Sequence, residues 1–182
     1  MNGKKRNNIE WLTRTAVFIA LLIILQTATA PLGNTIVTGS IVNLLLIVSV
    51  MFNGLWSGLT VAVISPAMAK FVGIGPFWAL IPFVALGNAV LVLVWHFVGS
   101  LSIRNITAKQ IASLAIAAVC KFLVLFLGIV KLAVPFILSV PEKQAAAITA
   151  MFSFPQIITA SIGGLLAIII FPLLQKAVNR RN

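Results

Sequence analysis

Long apolar runs constrain this chain more than any other feature, because they leave almost no charged residue for a soluble surface. Only two acidic residues occur in 182, Glu10 and Glu142, and neither lies inside a long apolar run. Charged residues make up 8% of the chain and apolar residues 61%, whereas a soluble domain carries roughly a quarter charged residues. With a mean hydropathy of +1.16, the composition indicates an integral membrane protein.

The apolar runs predict the number of membrane spans. A helix needs about 20 apolar residues to cross a hydrocarbon core of about 30 Å. By that length the sequence predicts an all-α fold of six transmembrane helices in one bundle, forming a single membrane domain over residues 1–182. The predicted helices cover residues 11–31, 36–52, 54–73, 77–99, 108–134 and 146–176. Turn residues separate them, such as Gly33 and Asn34 after the first helix and Asn53 and Gly54 after the second.

Basic residues are distributed unequally between the two ends of such a bundle. Six spans put both termini on one side, and nine Lys and Arg residues fall there: Lys4, Lys5, Arg6, Arg14, Arg104, Lys109, Lys176, Arg180 and Arg181. Three fall on the other side: Lys70, Lys131 and Lys143. Because cytoplasmic loops carry the excess of Lys and Arg, we expect both termini in the cytoplasm. The net charge of +11 then favours contact with anionic membrane lipid and no nucleic acid partner, because these residues flank apolar runs.

Residues that carry catalytic chemistry are scarce. The single histidine, His96, has no carboxylate near it in sequence, the chain has no Tyr, and Cys120 is its single cysteine. His96 lies beside Trp95, which indicates an interfacial or packing role, and Cys120 is interpreted as a small core residue. We expect no enzyme, no cofactor and no metal site. A carrier driven by protons or sodium usually keeps an acidic residue at membrane depth, and this sequence has none there.

Lys121 is the one basic residue deep inside a predicted helix, about 20 Å from its start. A lysine at the helix centre costs about 2.5–3.5 kcal/mol on insertion scales. With no carboxylate at membrane depth, its partner must be a carbonyl, an amide, water or a bound anion. Two interpretations stay open: Lys121 contacts a ligand, or a tilted helix moves it towards an interface.

Other polar residues fall at the outer or middle depth of the predicted helices. In the assigned directions these are Ser40, Asn43, Ser65, Asn88, Ser153 and Gln156. Amide and hydroxyl groups donate and accept, so with Lys121 they form the predicted substrate-binding set, suited to a polar ligand in a dry cavity. The alternative is that they bond one another between helices, as is common in membranes.

Small residues mark close helix contacts. Ala16 and Ala20 form a small-xxx-small pair near the predicted cytoplasmic end of the first helix. A second set lies in the sixth helix: Ala160, Gly163, Gly164 and Ala167. Such pairs are weak signals by themselves, because helices in any bundle use them for internal contacts as well as for contacts with partners.

Over essentially its whole length the chain resembles the S component of an energy-coupling factor (ECF) vitamin transporter. The resemblance rests on about 180 residues, six helices, the stretch from Ala16 to Ala20, and the stretches 39–43 and 82–88. In that family a small-residue motif in the first helix docks the S component onto the transmembrane coupling (T) subunit, so the resemblance implies that Ala16 and Ala20 dock here. It also implies a vitamin site in the outer half, closed by residues 32–35, 73–76 and 139–144.

The resemblance implies a multi-pass protein of the bacterial plasma membrane that binds a water-soluble vitamin. A T subunit and two ATPase subunits would drive its release inward. The sequence lacks the aromatic and acidic signatures of the thiamin, biotin and riboflavin binders. A lone lysine among amides favours a small anionic, hydroxylated ligand, and pantothenate therefore ranks first. Cobalamin, a larger polar ligand that would need a wide cavity, ranks second. Two alternatives stay open, a stand-alone secondary carrier or channel and an assembly factor without a small ligand; a membrane enzyme is a more distant third.

Overall fold

The computed structural model describes residues 3–179, with side chains described for residues 8–177. Within that range the chain is helical and contains no strand. The helices are α1 (Gly3–Thr29), α2 (Thr35–Asn53), α3 (Leu55–Phe71), α4 (Ile81–Ser100), α5 (Ile106–Leu125), α6 (Val134–Phe136), α7 (Glu142–Met151) and α8 (Pro155–Asn179). A π-helix joins α5 to α6, and short 3-10 turns follow α1 and precede α4. Arg180 and Arg181, which contribute to the predicted charge asymmetry, lie outside the described residues.

Five helical segments within residues 3–179 are long and apolar enough to cross a membrane. They are Asn8–Leu32, Thr35–Asn53, Trp78–Ser100, Ile106–Phe136 and Glu142–Ala177. The remaining apolar helix, α3, has 17 residues and is therefore about 25 Å long. Large apolar side chains cover the outside of the bundle, as a lipid-facing surface requires. The predicted all-α membrane bundle is confirmed, and the side on which its termini lie stays a prediction.

The helices differ from the predicted ones mainly in the first, fifth and sixth. The predicted fifth helix, 108–134, is α5 followed by the π-helix Phe126–Ala133. Helix α1 begins at Gly3, well before residue 11, because a hydropathy window detects only the apolar part of a helix. The predicted sixth helix, 146–176, is two helices in the structure, since α7 ends at Met151 and α8 begins at Pro155. Proline fits the first turn of a helix, where its missing N–H has no partner to lose.

Helix α2 lies at the centre of the bundle and packs against α1, α3, α4 and α8. Its most extensive contact is with α8, where the two backbones approach closely. A Cβ on Gly163 would lie 2.5 Å from the Ser40 carbonyl oxygen and 2.7 Å from the Asn43 Cβ. Glycine is therefore required at this crossing, and the small residues of α8 serve a contact within the chain.

The two ends of the bundle hold different helix termini. The near end holds the starts of α1 and α5 and the ends of α2, α4 and α8; the far end holds the end of α1 and the starts of α2 and α4. At the near end, a hydrogen bond of 2.8 Å joins the hydroxyls of Thr15 and Ser57. At the far end, the Thr38 hydroxyl donates to Thr29 at 3.1 Å. If the termini are cytoplasmic as predicted, the near end is the cytoplasmic end.

Candidate functional site

Lys121 lies in the interior of the bundle on α5, with 3% of its surface exposed. It is about 22 Å along the helix axis from the first residue of α5. Its Nζ donates one hydrogen bond to the Asn43 Oδ1 at 2.6 Å and another to the Asn88 Oδ1 at 2.8 Å. Helices α2, α4 and α5 thus meet at one ammonium group. The structure gives Lys121 amide partners, one of the four kinds that the sequence left open.

Asn43 extends the hydrogen bonds from Lys121 to helix α8. Its Nδ2 donates to the Thr159 Oγ1 at 3.2 Å, and the Thr159 hydroxyl donates to the Gln156 carbonyl oxygen at 3.1 Å. Both ends of the Asn43 amide are therefore engaged, which holds its oxygen towards Lys121. Thr159 is buried and is absent from the residues predicted from the sequence. Its i+3 spacing from Gln156, which puts both on one helix face, was the available signal.

Lys121, Asn43, Asn88 and Gln156 line a cavity of about 360 Å³ at the far end of the bundle, called here the Lys121 cavity; Thr159 lies behind its wall. Its helical side chains with amide, hydroxyl or amino groups include Gln26, Thr38, Asn43, Ser65, Asn88, Lys121 and Gln156. Residues 33–35, after α1, and 74–76, after α3, also line it. Val84, Leu125 and Phe152 contribute apolar walls. The volume falls in the range of small-molecule sites, roughly 300–1,000 Å³.

The structure places five of the seven predicted substrate-binding residues in the wall of the Lys121 cavity and two outside it. Ser40 faces the α2–α8 contact and is buried there. The Ser153 hydroxyl donates to the Thr149 carbonyl oxygen at 2.5 Å, at the break between α7 and α8. Of the three predicted closing loops, residues 139–144 do not line the cavity. Contact with a ligand stays a prediction for all seven residues.

Two buried polar atoms in the Lys121 cavity, the Gln26 Oε1 and the Ser65 Oγ, have no hydrogen-bond partner among the described residues. A buried polar group left unpaired costs about 1–3 kcal/mol. Gln26 is not among the predicted residues; it lies near the end of the first helix, directly before the small and hydroxyl residues 27–30. Both atoms are placed to bond a molecule that enters the cavity.

When Lys121 is protonated, the Lys121 cavity carries a positive charge that no side-chain carboxylate balances. The two acidic residues of the chain, Glu10 and Glu142, are both described, and neither lines the cavity. An ammonium group has three protons to donate, and two of those on Lys121 go to the amide oxygens. One donor therefore remains for a ligand, so the arrangement suits an anion that also has neutral polar groups.

Ala16 and Ala20 lie on the exposed side of α1. Thr15 and Leu22, on the opposite side of the same helix, are buried against the bundle. Exposed small residues allow another helix to approach the α1 backbone closely. The structure leaves this face available, and docking of a partner on it stays a prediction.

Comparison with known proteins gives a match to one family. The family model described as "ECF transporter, substrate-specific component" matches residues 11–175. No curated protein and no solved structure matches the chain. The matched range includes every described residue that lines the Lys121 cavity, from Gln26 on α1 to Gln156 on α8. The chain therefore belongs to the substrate-specific components of ECF transporters.

Proposed function

We propose that this chain binds a small, anionic, hydroxylated vitamin in the Lys121 cavity and supplies it to an ECF importer, with pantothenate as the first candidate. Membership of the family supports the general role, a substrate-binding membrane component that works with T and ATPase subunits. The charge and polar groups of the cavity support the choice of ligand. The protein would act as a multi-pass component of a bacterial plasma membrane.

The observation that carries the proposal is an ammonium group held by two amide oxygens with no carboxylate beside it. A buried charge is unfavourable unless it is paired and hydrogen-bonded. The amide oxygens accept two of the three ammonium protons and leave the charge unbalanced, so an anionic ligand would supply both the third acceptor and the opposite charge. A neutral acceptor lacks this Coulomb attraction, which favours a carboxylate ligand over a neutral one.

The remaining polar groups favour a ligand with hydroxyl and amide groups next to its carboxylate. Ser65 can donate or accept, and the Gln26 Oε1 can accept; both atoms have no partner among the described residues. Pantothenate carries one carboxylate, two hydroxyls and one amide, so its groups match this set. Cobalamin is several times larger, and a cavity of about 360 Å³ therefore favours the smaller vitamin.

The test is calorimetric titration of the purified chain with water-soluble vitamins, namely pantothenate, nicotinate, biotin, thiamin, riboflavin and cobalamin. We expect tight binding of pantothenate. Lys121→Met and Asn88→Leu should weaken it by about a hundredfold, the effect of removing one partner from a buried charge pair. Lys131→Met is the matched control, because Lys131 follows on the same helical segment but is exposed, and it should bind like the wild type.

Three results would contradict the proposal. Equal affinity of the wild type and a folded Lys121→Met variant would exclude Lys121 from the site. If the folded chain binds no vitamin in the panel, the alternative function of an assembly factor without a small ligand would be favoured. Uptake of pantothenate by vesicles that contain this chain alone, without ATPases, would favour a stand-alone carrier.

We also propose that the face of α1 around Ala16 and Ala20 docks on the T subunit. Ala16→Trp should abolish recovery of the complex on an affinity-tagged T subunit and leave pantothenate binding by the isolated chain unchanged. Val119→Trp, at an exposed position on α5, controls for a bulky residue on the lipid-facing surface and should assemble normally. Normal assembly of the Ala16→Trp variant would show that another face makes the contact.

A further inference from the structure

A second cavity, of about 390 Å³, lies at the near end of the bundle and has no part in the proposed vitamin site. It is called here the Lys109 cavity. It lies between the ends of α2, α4 and α8 and the start of α5, and its polar and aromatic side chains include Trp95, His96, Lys109, Gln110 and Ser113. None of the described residues lines both cavities.

Hydrogen-bond donors reach the Lys109 cavity from two helices. His96 comes from the last turns of α4, and Lys109 and Gln110 come from the first turns of α5. All three side chains are half-buried. Lysine, the glutamine amide and either form of histidine can donate to an oxyanion. Three hydrogen-bond donors therefore lie at one edge of the cavity, and one of them, Lys109, is positively charged.

The surroundings of these donors favour a negative ligand. Both acidic residues of the chain are described, and neither lines the Lys109 cavity. Ile106, the first residue of α5, also lines it, so the positive end of a 20-residue helix faces the same region. The hydroxyl of the buried Ser113 already donates to the Lys109 carbonyl oxygen at 2.9 Å. The Lys109 ammonium makes no hydrogen bond or ion pair among the described residues.

The opposite wall of the Lys109 cavity is apolar. Trp95, 4% exposed, forms it together with Val50, Met51 and Phe171. A ligand that combines an oxyanion with an apolar portion would contact both walls. Anionic phospholipid has this composition, and basic pockets between transmembrane helices on the cytoplasmic side are known to bind lipid head groups.

We propose that the Lys109 cavity binds a phosphate oxyanion, through Lys109 and His96 with Gln110 as a further donor. The phosphate can be carried by an anionic phospholipid or be free in solution. The apolar wall around Trp95 favours the lipid, whose glycerol and upper acyl carbons would lie against the indole. This site is independent of the proposed vitamin site and of its ligand.

The test uses the full chain in dodecyl maltoside micelles and native mass spectrometry. Palmitoyl-oleoyl phosphatidylglycerol is the probe, and phosphatidylcholine with the same acyl chains is the comparison. We expect the wild type to retain one phosphatidylglycerol more strongly than phosphatidylcholine. Lys109→Gln and His96→Gln should each weaken that retention about tenfold, the factor for one lost charge-assisted hydrogen bond. Arg104→Gln removes an exposed charge from the loop before α5, outside the cavity, and should leave retention unchanged.

The source of the phosphate is separated by competition. If millimolar inorganic phosphate displaces phosphatidylglycerol from the wild type but not from Lys109→Gln, the site takes free phosphate as well; if it does not, the lipid is the ligand. Equal loss of retention in Lys109→Gln and Arg104→Gln would overturn the proposal, because it would show diffuse surface attraction. Equal retention of the two lipids by the wild type would overturn it too. Unchanged thermal unfolding of each variant confirms that the fold is intact.

Discussion

The two cavities solve the placement of a basic side chain in different ways. In the Lys121 cavity Lys121 is 3% exposed and its ammonium donates to two amide oxygens. One of these amides, that of Asn43, also donates through its Nδ2 to Thr159. In the Lys109 cavity the lysine and His96 are half-buried, and Lys109 makes no ion pair among the described residues. The first charge is fixed by the protein before any ligand arrives. The second is tethered by a flexible side chain at the end of the bundle.

The difference follows from how far each lysine is from water. A charged group at mid-depth must donate its protons to protein oxygens. Bulk water does not hydrate it there, and its side chain is too short to reach the surface. A preorganised donor of this kind suits one small ligand of defined shape. Lys109, in the first turn of α5, needs no such support, so its cavity can accept a head group whose position varies. On the proposed function, selectivity for the vitamin would therefore reside in the Lys121 cavity.

The largest expected effect comes from removing one partner of Lys121. Asn43→Leu keeps the side-chain size and leaves the ammonium with one amide oxygen, which should destabilise the fold by about 3 kcal/mol. The double variant Asn43→Leu with Lys121→Met removes the buried charge as well, so its stability should recover while vitamin binding stays lost. Thermal unfolding followed by circular dichroism, with calorimetric titration, measures both quantities.

Lys109→Gln removes the lysine charge from the Lys109 cavity. It should change the free energy of unfolding by no more than about 0.5 kcal/mol, as for most surface substitutions. Its vitamin affinity should equal that of the wild type. An equal midpoint for the single and double Asn43 variants would show that Asn43 does not hold the charge of Lys121. A large loss in Lys109→Gln would remove the contrast between the two lysines.

A smaller effect is expected where glycine permits the helix crossing that places Asn43. Gly163→Ala puts a Cβ 2.7 Å from that of Asn43, so α2 and α8 must separate, at a loss of about 1–3 kcal/mol. Gly99→Ala is the same change beside the Lys109 cavity, where the nearest atom, the Ser113 Oγ, is 3.9 Å away. It should be neutral in thermal unfolding. Equal midpoints for the two variants would show that the α2–α8 crossing is looser than the structure has it.

Much of the fold could be predicted from the sequence, because the length of an apolar run limits where a membrane helix starts and ends. The depth of each polar residue in the membrane could be predicted as well, which is why Lys121, Asn43 and Asn88 belong to one predicted set. The hydrogen bonds among these three residues could not be predicted, since the rotation of each helix about its axis depends on packing at contacts such as Gly163. The same rotation turns Ser40 towards α8 and away from the cavity.

The smallest expected effect is a difference in vitamin affinity between variants of two serines that hydropathy and depth do not distinguish. Ser65 and Ser40 are both buried, and neither hydroxyl has a hydrogen-bond partner among the described residues. Ser65 lines the Lys121 cavity and Ser40 does not. Ser65→Ala should weaken vitamin binding by about 1 kcal/mol, roughly fivefold, the worth of one neutral hydrogen bond. Ser40→Ala should leave the affinity unchanged in the same calorimetric titration.

Stability gives this last comparison an internal control. Both substitutions remove an unpaired buried hydroxyl, so both should leave the ligand-free chain as stable as the wild type or slightly more stable. A loss of affinity in Ser40→Ala instead of Ser65→Ala would place the ligand between α2 and α8, not beside α3. The two variants differ only in whether the hydroxyl is lost from α2 or from α3. That result would therefore change which helix lines the site, and it would leave the role of Lys121 unchanged.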